Sequence, residues 1–229
     1  MPCPPKPIWS GVFEAMGLDA STRLIAIRHG ETAWNRETRI QGQMDIALNE
    51  TGLAQARAVA CALAGESVDA VYSSDLMRAR QTAEAICVVT GAALRLDAGL
   101  RERAFGVFEG LTWADIAARC PAQSRRWRSR DLTFAAEGGG ETLTALYARC
   151  IGAIEAIAAA HPGQTVVVVA HGGVMDCLYR AGTRLPLDAP RSWTLGNAAI
   201  NRLLYTAQGF SLIGWNDDFH LAPLTLDED

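Results

Sequence analysis

The sequence predicts an α/β domain of three layers, α/β/α, with helices on both faces of a mostly parallel central sheet and one antiparallel edge strand. Three observations carry this prediction. Strand-like runs at 23–28, 69–74, 93–97 and 165–170 alternate with segments of helical period, and that alternation builds a parallel sheet covered on both sides. The runs RLIAIR and TVVVVA are apolar with little alternation, as strands buried on both faces are. The chain closes on AINRLLYTA and FSLIGWN around Gln208-Gly209, which reads as a hairpin and so reverses one strand.

The elements follow in order. RLIAIR (23–28) is the first strand. Asn49 offers a helix cap, and ETGLAQARAVACALAG continues as a helix ending near Gly65. DAVYSS (69–74) is the second strand, MRARQTAEAICVVTG (77–91) a helix with a glycine stop, and ALRLD (93–97) the third strand. Thr112 caps a short helix with Asp115 in the capping-box position. Past a glycine-rich turn at 138–140, ETLTALYARCIGAIEAIAAA is the longest helix, stopped by His161-Pro162-Gly163. TVVVVA (165–170) is the most hydrophobic strand, and GVMDCLYRAG the next helix. Residues 1–20 read as a proline-stiffened N-terminal arm and 21–229 as a single domain. The weakly patterned stretch 103–140, with Trp113, Trp127 and an arginine run, reads as a lid or substrate-binding insert.

Composition narrows the function classes. The chain has 229 residues, 49% of them hydrophobic, which suits one domain with a full core. A net charge of −4 and a pI near 5.6 argue against nucleic acid as a partner. No apolar run approaches the roughly 20 residues of a membrane-spanning helix, so no membrane partner is expected. The start, MPCPPKPIWSG, lacks the apolar stretch of a signal peptide. Six cysteines are spread without a C-x-x-C pair, the pattern of reduced thiols in a cytoplasmic protein. His29, His161, His171 and His220 are far apart in sequence, so no local metal-ligand pair is present and neither metal nor cofactor is expected. An exposed strand near the C-terminus would permit a homodimer.

Ligands of open α/β sheets bind outside the C-terminal ends of the strands, and those ends carry unusual residues. The first strand ends in Arg28-His29-Gly30, the second in Ser73-Ser74-Asp75 with Arg78 one turn on, and the fourth in Ala170-His171-Gly172-Gly173. Arg101-Glu102-Arg103 follows the third. Two histidines, two arginines and a glutamate therefore gather along one edge. That set suits a phosphate: guanidinium forks match its oxygens, an imidazole can attack phosphorus or donate to it, and glycines let backbone N–H groups come close.

Arg28-His29-Gly30-Glu31-Thr32 with Asn35 resembles the signature of the histidine phosphatase superfamily, which includes the cofactor-dependent phosphoglycerate mutases. The likeness continues through Gln41-Gly42-Gln43-Met44-Asp45, Ser73-Ser74-Asp75-Leu76-Met77-Arg78, Leu100-Arg101-Glu102-Arg103 with Gly106 and Glu109-Gly110, and Ala170-His171-Gly172-Gly173. These motifs fall in family order and cover most of residues 23–175. The resemblance implies a phosphoglycerate mutase-like fold and a phosphohistidine intermediate on His29, which water then opens. It implies that Arg28 and Arg78 neutralise phosphate oxygens, and that His171, Asn35 and the Gly172 backbone donate to them. Gln41 and Gly42 would join the substrate site. Glu102 would protonate the leaving oxygen and then activate water, so activity should fall as pH rises well above neutral.

Departures from the mutase pattern favour hydrolysis. Ala104-Phe105 stands where mutases typically have His-Tyr, Trp113 where they have lysine, and Trp127-Arg128-Ser129-Arg130 in place of Trp-Arg-Arg; FAAEGGGETL leaves no room for their long insert. The expectation is a phosphomonoesterase acting on a small phosphorylated metabolite, with the mutase as the alternative. A phospho-ligand-binding protein without turnover is a third reading, which a lost nucleophile or acid would mark. Arg125, Arg126, Arg128 and Arg130 read as a solvated helix face or lid edge; the sharper alternative is that one or two reach the non-reacting end of an anionic substrate. Trp193 and Trp215 read as packing residues.

Overall fold

The computed structural model describes residues 21–225; the N-terminal arm and the C-terminal LDED lie outside the described residues. The chain runs β1 (Thr22–Arg28), α1 (Ala33–Arg36), α2 (Glu50–Ala62), β2 (Ala70–Ser73), α3 (Met77–Thr90), β3 (Leu94–Leu96), α4 (Trp113–Arg119), α5 (Pro121–Arg128) and α6 (Leu143–Ala159). It continues through β4 (Thr165–Ala170), α7 (Gly172–Thr183), β5 (Ile200–Thr206), β6 (Gly209–Asp217) and α8 (Ala222–Thr225). One six-stranded sheet results, in the order β3-β2-β4-β1-β5-β6. β1 to β4 are mutually parallel; β5 runs against β1, and β6 runs against β5 and forms the margin. The antiparallel part of the sheet is thus the closing hairpin, with Gly209 at a φ of +93°.

Side chains leave a strand on alternate faces, and here both faces meet helices. Leu24, Ala26, Val166, Val168 and Ala170 pack with Ile151 and Ile154 of α6 and Val174 and Leu178 of α7. Ile25, Ile27, Val167 and Val169 pack with Val59 of α2 and Ala83 and Ile86 of α3. This is why the two central strands tolerate no polar alternation. Two helix starts are capped as the sequence predicts, with Asn49 accepting from Gly52 N and Thr112 and Asp115 forming a capping box; the long helix, expected from Glu141, is capped by Thr142, which accepts from Ala145 N. The first of these helices ends with Leu63 as its C-cap, short of Gly65.

The stretch 103–140 has a small core of its own. Phe108, Ile116, Phe134 and Ala136 are buried together, with Trp127 and Phe105 packed against them. Trp127 lies 4.2 Å from Trp113 and 5.4 Å from Phe108, centroid to centroid. This cluster is separate from the two that flank the sheet, and Ile40, from outside the stretch, packs against it as well.

Candidate active site

The register of the two central strands creates the site. Arg28 pairs with Ala170 across β1 and β4, so the next residue on each, His29 and His171, leaves the sheet at one level. Neighbouring strands are about 4.8 Å apart, and the two imidazole centroids lie 5.2 Å apart, tilted by 57°. His29 is 3% exposed and His171 fully buried.

His29 Nδ1 lies 2.7 Å from the Gly30 carbonyl. A carbonyl oxygen only accepts, so Nδ1 carries the proton and Nε2 keeps its lone pair. Burial, then the guanidinium groups of Arg78 and Arg28, holds the His29 pKa well below the usual histidine value. Burial, Arg78 and His29 itself do the same for His171. Neither ring nitrogen of His171 has a hydrogen-bond partner among the described residues.

Both neutral rings have a consequence for stability. An unfolded histidine takes a proton below about pH 6.5, whereas these two resist it when folded. The unfolded chain then binds more protons, so stability present above pH 6.5 is lost as pH falls. The urea midpoint should drop between pH 7 and pH 5, and His171→Gln should flatten that slope; an equally steep drop in the variant would remove His171 from the cause.

Arg78 reaches the site from the first turn of α3. It donates to the carbonyls of Met44 at 2.8 Å and Gly42 at 2.7 Å. Burial lowers its pKa to about 10, so it remains a cation near neutrality. Arg28 donates to the Leu195 carbonyl, and burial also lowers its pKa. The Nε atoms of both arginines are buried without partners among the described residues. Gly42 itself has a φ of +54°, and a Cβ there would sit 2.0 Å from Oε1 of Glu109. That carboxylate in turn accepts from Gln43 N and Phe105 N. Gln41 is buried on the cavity wall, and its Oε1 has no partner among the described residues.

Glu102 stands at the start of α7. Its Oε1 accepts from Arg103 N at 2.7 Å, and both oxygens accept from Gly173 N at 3.1 Å. A Cβ on Gly172 would lie 3.7 Å from Arg28 Nε and 3.8 Å from Glu102 Oε2, so helix start, guanidinium and carboxylate converge. The first N–H groups of a helix have no intrahelical acceptors and favour anions. A Cβ on Gly173 would lie 2.2 Å from Glu102 Oε1. Gly173→Ala should therefore push that carboxylate aside and lower kcat about 10²-fold, the cost of an ångström-scale misplacement. Because only a side-chain end moves, the thermal midpoint should hold; a fall in stability matching the loss of rate would point to misfolding instead.

The Asn35 side chain has two ends. Its Oδ1 accepts from Thr32 N and Oγ1, closing the capping box of α1. Its amide nitrogen makes no hydrogen bond among the described residues. Arg149, which the motifs do not touch, donates to the carbonyls of Gly99, Arg101 and Glu102 and pairs with Glu141, and so fixes the loop that carries Glu102. Arg101 turns away to pair with Asp75.

Arg28, His29, Asn35, Gln41, Gly42, Arg78, Glu102, Gly172 and Gly173 line a cavity of about 770 Å³, and the fully buried His171 lies behind its wall. Its far walls hold Trp113, Trp127, Arg128, Arg130, Arg191 and Trp193. The arginine run thus divides: Arg126 pairs with Asp131 at the surface, while Arg128 and Arg130 face the cavity. Trp193, expected to pack, stacks on Tyr179 and lines the cavity as well. No cluster of three or more His, Cys, Asp or Glu suited to a metal occurs among the described residues.

A neutral imidazole with a defined lone pair, set beside guanidinium Nε and imidazole nitrogens that lack partners among the described residues, at the ends of parallel strands, defines a phosphoryl-transfer enzyme. The sequence profile of the histidine phosphatase superfamily, branch 1, matches residues 24–218, and the chain belongs to that family. It is 38% identical to the metal-independent phosphoserine phosphatase of Arabidopsis thaliana, over 89% of this chain and 84% of that one. It is 37% identical to phosphoglycerate mutase-like protein 4 of Arabidopsis thaliana, over 91% and 90%. The solved structure of mycobacterial glucosyl-3-phosphoglycerate phosphatase with VO3 superimposes with a TM-score of 0.77 at 35% identity, covering 86% of this chain and 99% of that one.

Proposed function

We propose that the chain hydrolyses small phosphate monoesters through a phosphohistidine. The observation that carries this is the His29 lone pair, fixed on Nε2 by the Gly30 carbonyl beside buried donors that lack partners among the described residues. Nε2 attacks phosphorus, the P–O bond to the alcohol breaks, and Glu102 gives its proton to the leaving oxygen. Water then attacks phosphorus, the P–N bond breaks, and Glu102 takes a proton from the water. The Gly30 carbonyl supports the positive charge that the phosphorylated ring carries. Arg28 and Arg78 balance the phosphate oxygens, and His171, Asn35 Nδ2 and Gly172 N–H donate to them, with Gln41 and Gly42 closing that wall.

Hydrolysis is preferred to mutase chemistry because the cavity has room for water beside a small ester. Its volume falls within the roughly 300–1,000 Å³ of pockets that take much larger ligands. A binding protein without turnover is disfavoured, since the residues read as nucleophile and acid, His29 and Glu102, both line the cavity. Arg128 and Arg191 are exposed, line the cavity and bond no described residue through their side chains; we read them as meeting the remote charge of an anionic substrate. kcat/KM should then fall with added salt. The Arg128→Ala/Arg191→Ala double variant should raise KM about threefold to tenfold and flatten that dependence; an unaltered salt slope would retire the role.

The five described cysteines are free thiols, which supports a cytoplasmic setting, and no described helix is long and apolar enough to cross a membrane. The function is tested by phosphate release from a panel of phosphorylated metabolites beside a coupled mutase assay with bisphosphoglycerate. Phosphate release with little mutase turnover, and an acid-labile, base-stable phosphoenzyme on rapid quenching, are expected. Mutase turnover exceeding phosphate release would reverse the assignment.

A further inference from the structure

Away from the phosphate cradle, two more buried polar atoms on the cavity wall lack partners among the described residues: Oδ1 of Asp176 and Nε1 of Trp193. Asp176 is 7% exposed. Its other oxygen is occupied, accepting from Arg130 at 2.7 Å and from Arg180 Nε at 3.1 Å. The Arg180 guanidinium also lies over the Trp193 ring, 4.8 Å from its centroid. The ring's opposite support is Tyr179, stacked with centroids 3.9 Å apart. Arg180 therefore holds carboxylate and indole side by side. Buried acceptors and donors are rarely left unpaired, and the Nε atoms of Arg28 and Arg78 and the His171 ring carry the same mark.

The position is informative. Asp176 follows Gly173 by three residues on α7, so the two share a face about 5–6 Å apart. Gly173 N–H is bonded to Glu102. One helical turn beyond the proposed proton donor is where the substituents of a leaving alcohol would lie.

The chemistry is equally selective. Oδ1 needs a donor and the indole N–H needs an acceptor. A hydroxyl group is both. An ammonium group has no lone pair for the indole, and it would approach two guanidinium groups that already outweigh the carboxylate. A carboxylate has no proton for Oδ1 and would face a like charge. We propose that Asp176 and Trp193 form a hydroxyl-recognising subsite, and that the enzyme selects phosphate monoesters of polyols or sugars over equally long esters that lack the hydroxyl. The inference rests on the hydrolase reading only for where the alcohol lies.

The test compares glycerol 1-phosphate, n-propyl phosphate and 3-aminopropyl phosphate. The ratio of kcat/KM for glycerol 1-phosphate over n-propyl phosphate should be at least about tenfold, since a site built to bond a hydroxyl rejects the analogue without it. 3-Aminopropyl phosphate should gain nothing over n-propyl phosphate. Trp193→Phe, which keeps an aromatic ring on Tyr179 but removes the N–H along with part of the indole, should bring the ratio close to one; Asp176→Asn, which leaves the indole intact, should lower it. The same ratio is read as Kd by calorimetry on His29→Ala protein, with and without Trp193→Phe. If no ester is turned over, the hydrolase reading fails while the Kd ratio still decides the subsite. A wild-type ratio near one, a preference for the amine, or a ratio that survives Trp193→Phe overturns the proposal.

Discussion

His29→Ala is expected to cut phosphate release by on the order of 10⁴- to 10⁶-fold, the scale seen when a covalent nucleophile is removed. The reason is geometric as much as chemical. The ring nitrogen that would attack is unprotonated because Nδ1–H is committed to Gly30, and burial together with Arg78 and Arg28 keeps a second proton off. The other imidazole, His171, cannot stand in: it follows β4 rather than β1, and its ring centroid lies 5.2 Å away. Ligand binding should survive, because Arg28, Arg78 and His171 remain to hold an anion. The variant should therefore bind inorganic phosphate in calorimetry while releasing none from substrate. Asn35→Ala, which removes one neutral donor, should cost about 10²-fold or less. More than about one per cent of native turnover in the His29 variant would remove this residue from the mechanism.

The parts of this site that were legible in the sequence are those that strand ends expose. RLIAIR and TVVVVA read as strands because both their faces are buried, and the residues that end them had to meet once the strands paired in register. What the sequence could not disclose depends on where helices and loops bring single polar residues. Asp176 looks like an ordinary helical acid until Arg130 and Arg180 are seen on one of its oxygens. Arg149 looks like a surface arginine of a long helix, yet it donates to the carbonyls of Gly99, Arg101 and Glu102. Within the arginine run, α5 ends at Arg128 and Arg130 takes a φ of +55°, so neighbouring side chains part: no helical period could have separated them. Trp193 combines stacking and cavity lining, and an aromatic residue in a loop gives no sign of which it does.

Glu102→Gln should show a loss that depends on the leaving group. For an alkyl phosphate the departing oxygen needs a proton as the bond breaks, and loss of a positioned acid costs about 10²- to 10⁴-fold. p-Nitrophenyl phosphate departs as a stable anion, so its first step should slow far less. The second step is common to both substrates and still lacks a base for water. The phosphoenzyme should then accumulate, and rapid mixing should show a burst of p-nitrophenol followed by slow release. The fold should tolerate the change, because an amide oxygen at Oε1 can still accept from Arg103 N and Gly173 N. Only the second contact to Gly173 N, made by Oε2 at 3.1 Å, is replaced by a donor. A general electrostatic role for the carboxylate predicts something different: equal losses for both leaving groups and no burst. The leaving-group comparison therefore separates a proton carrier from a charge that merely shapes the site, and equal losses would require another group to move the proton.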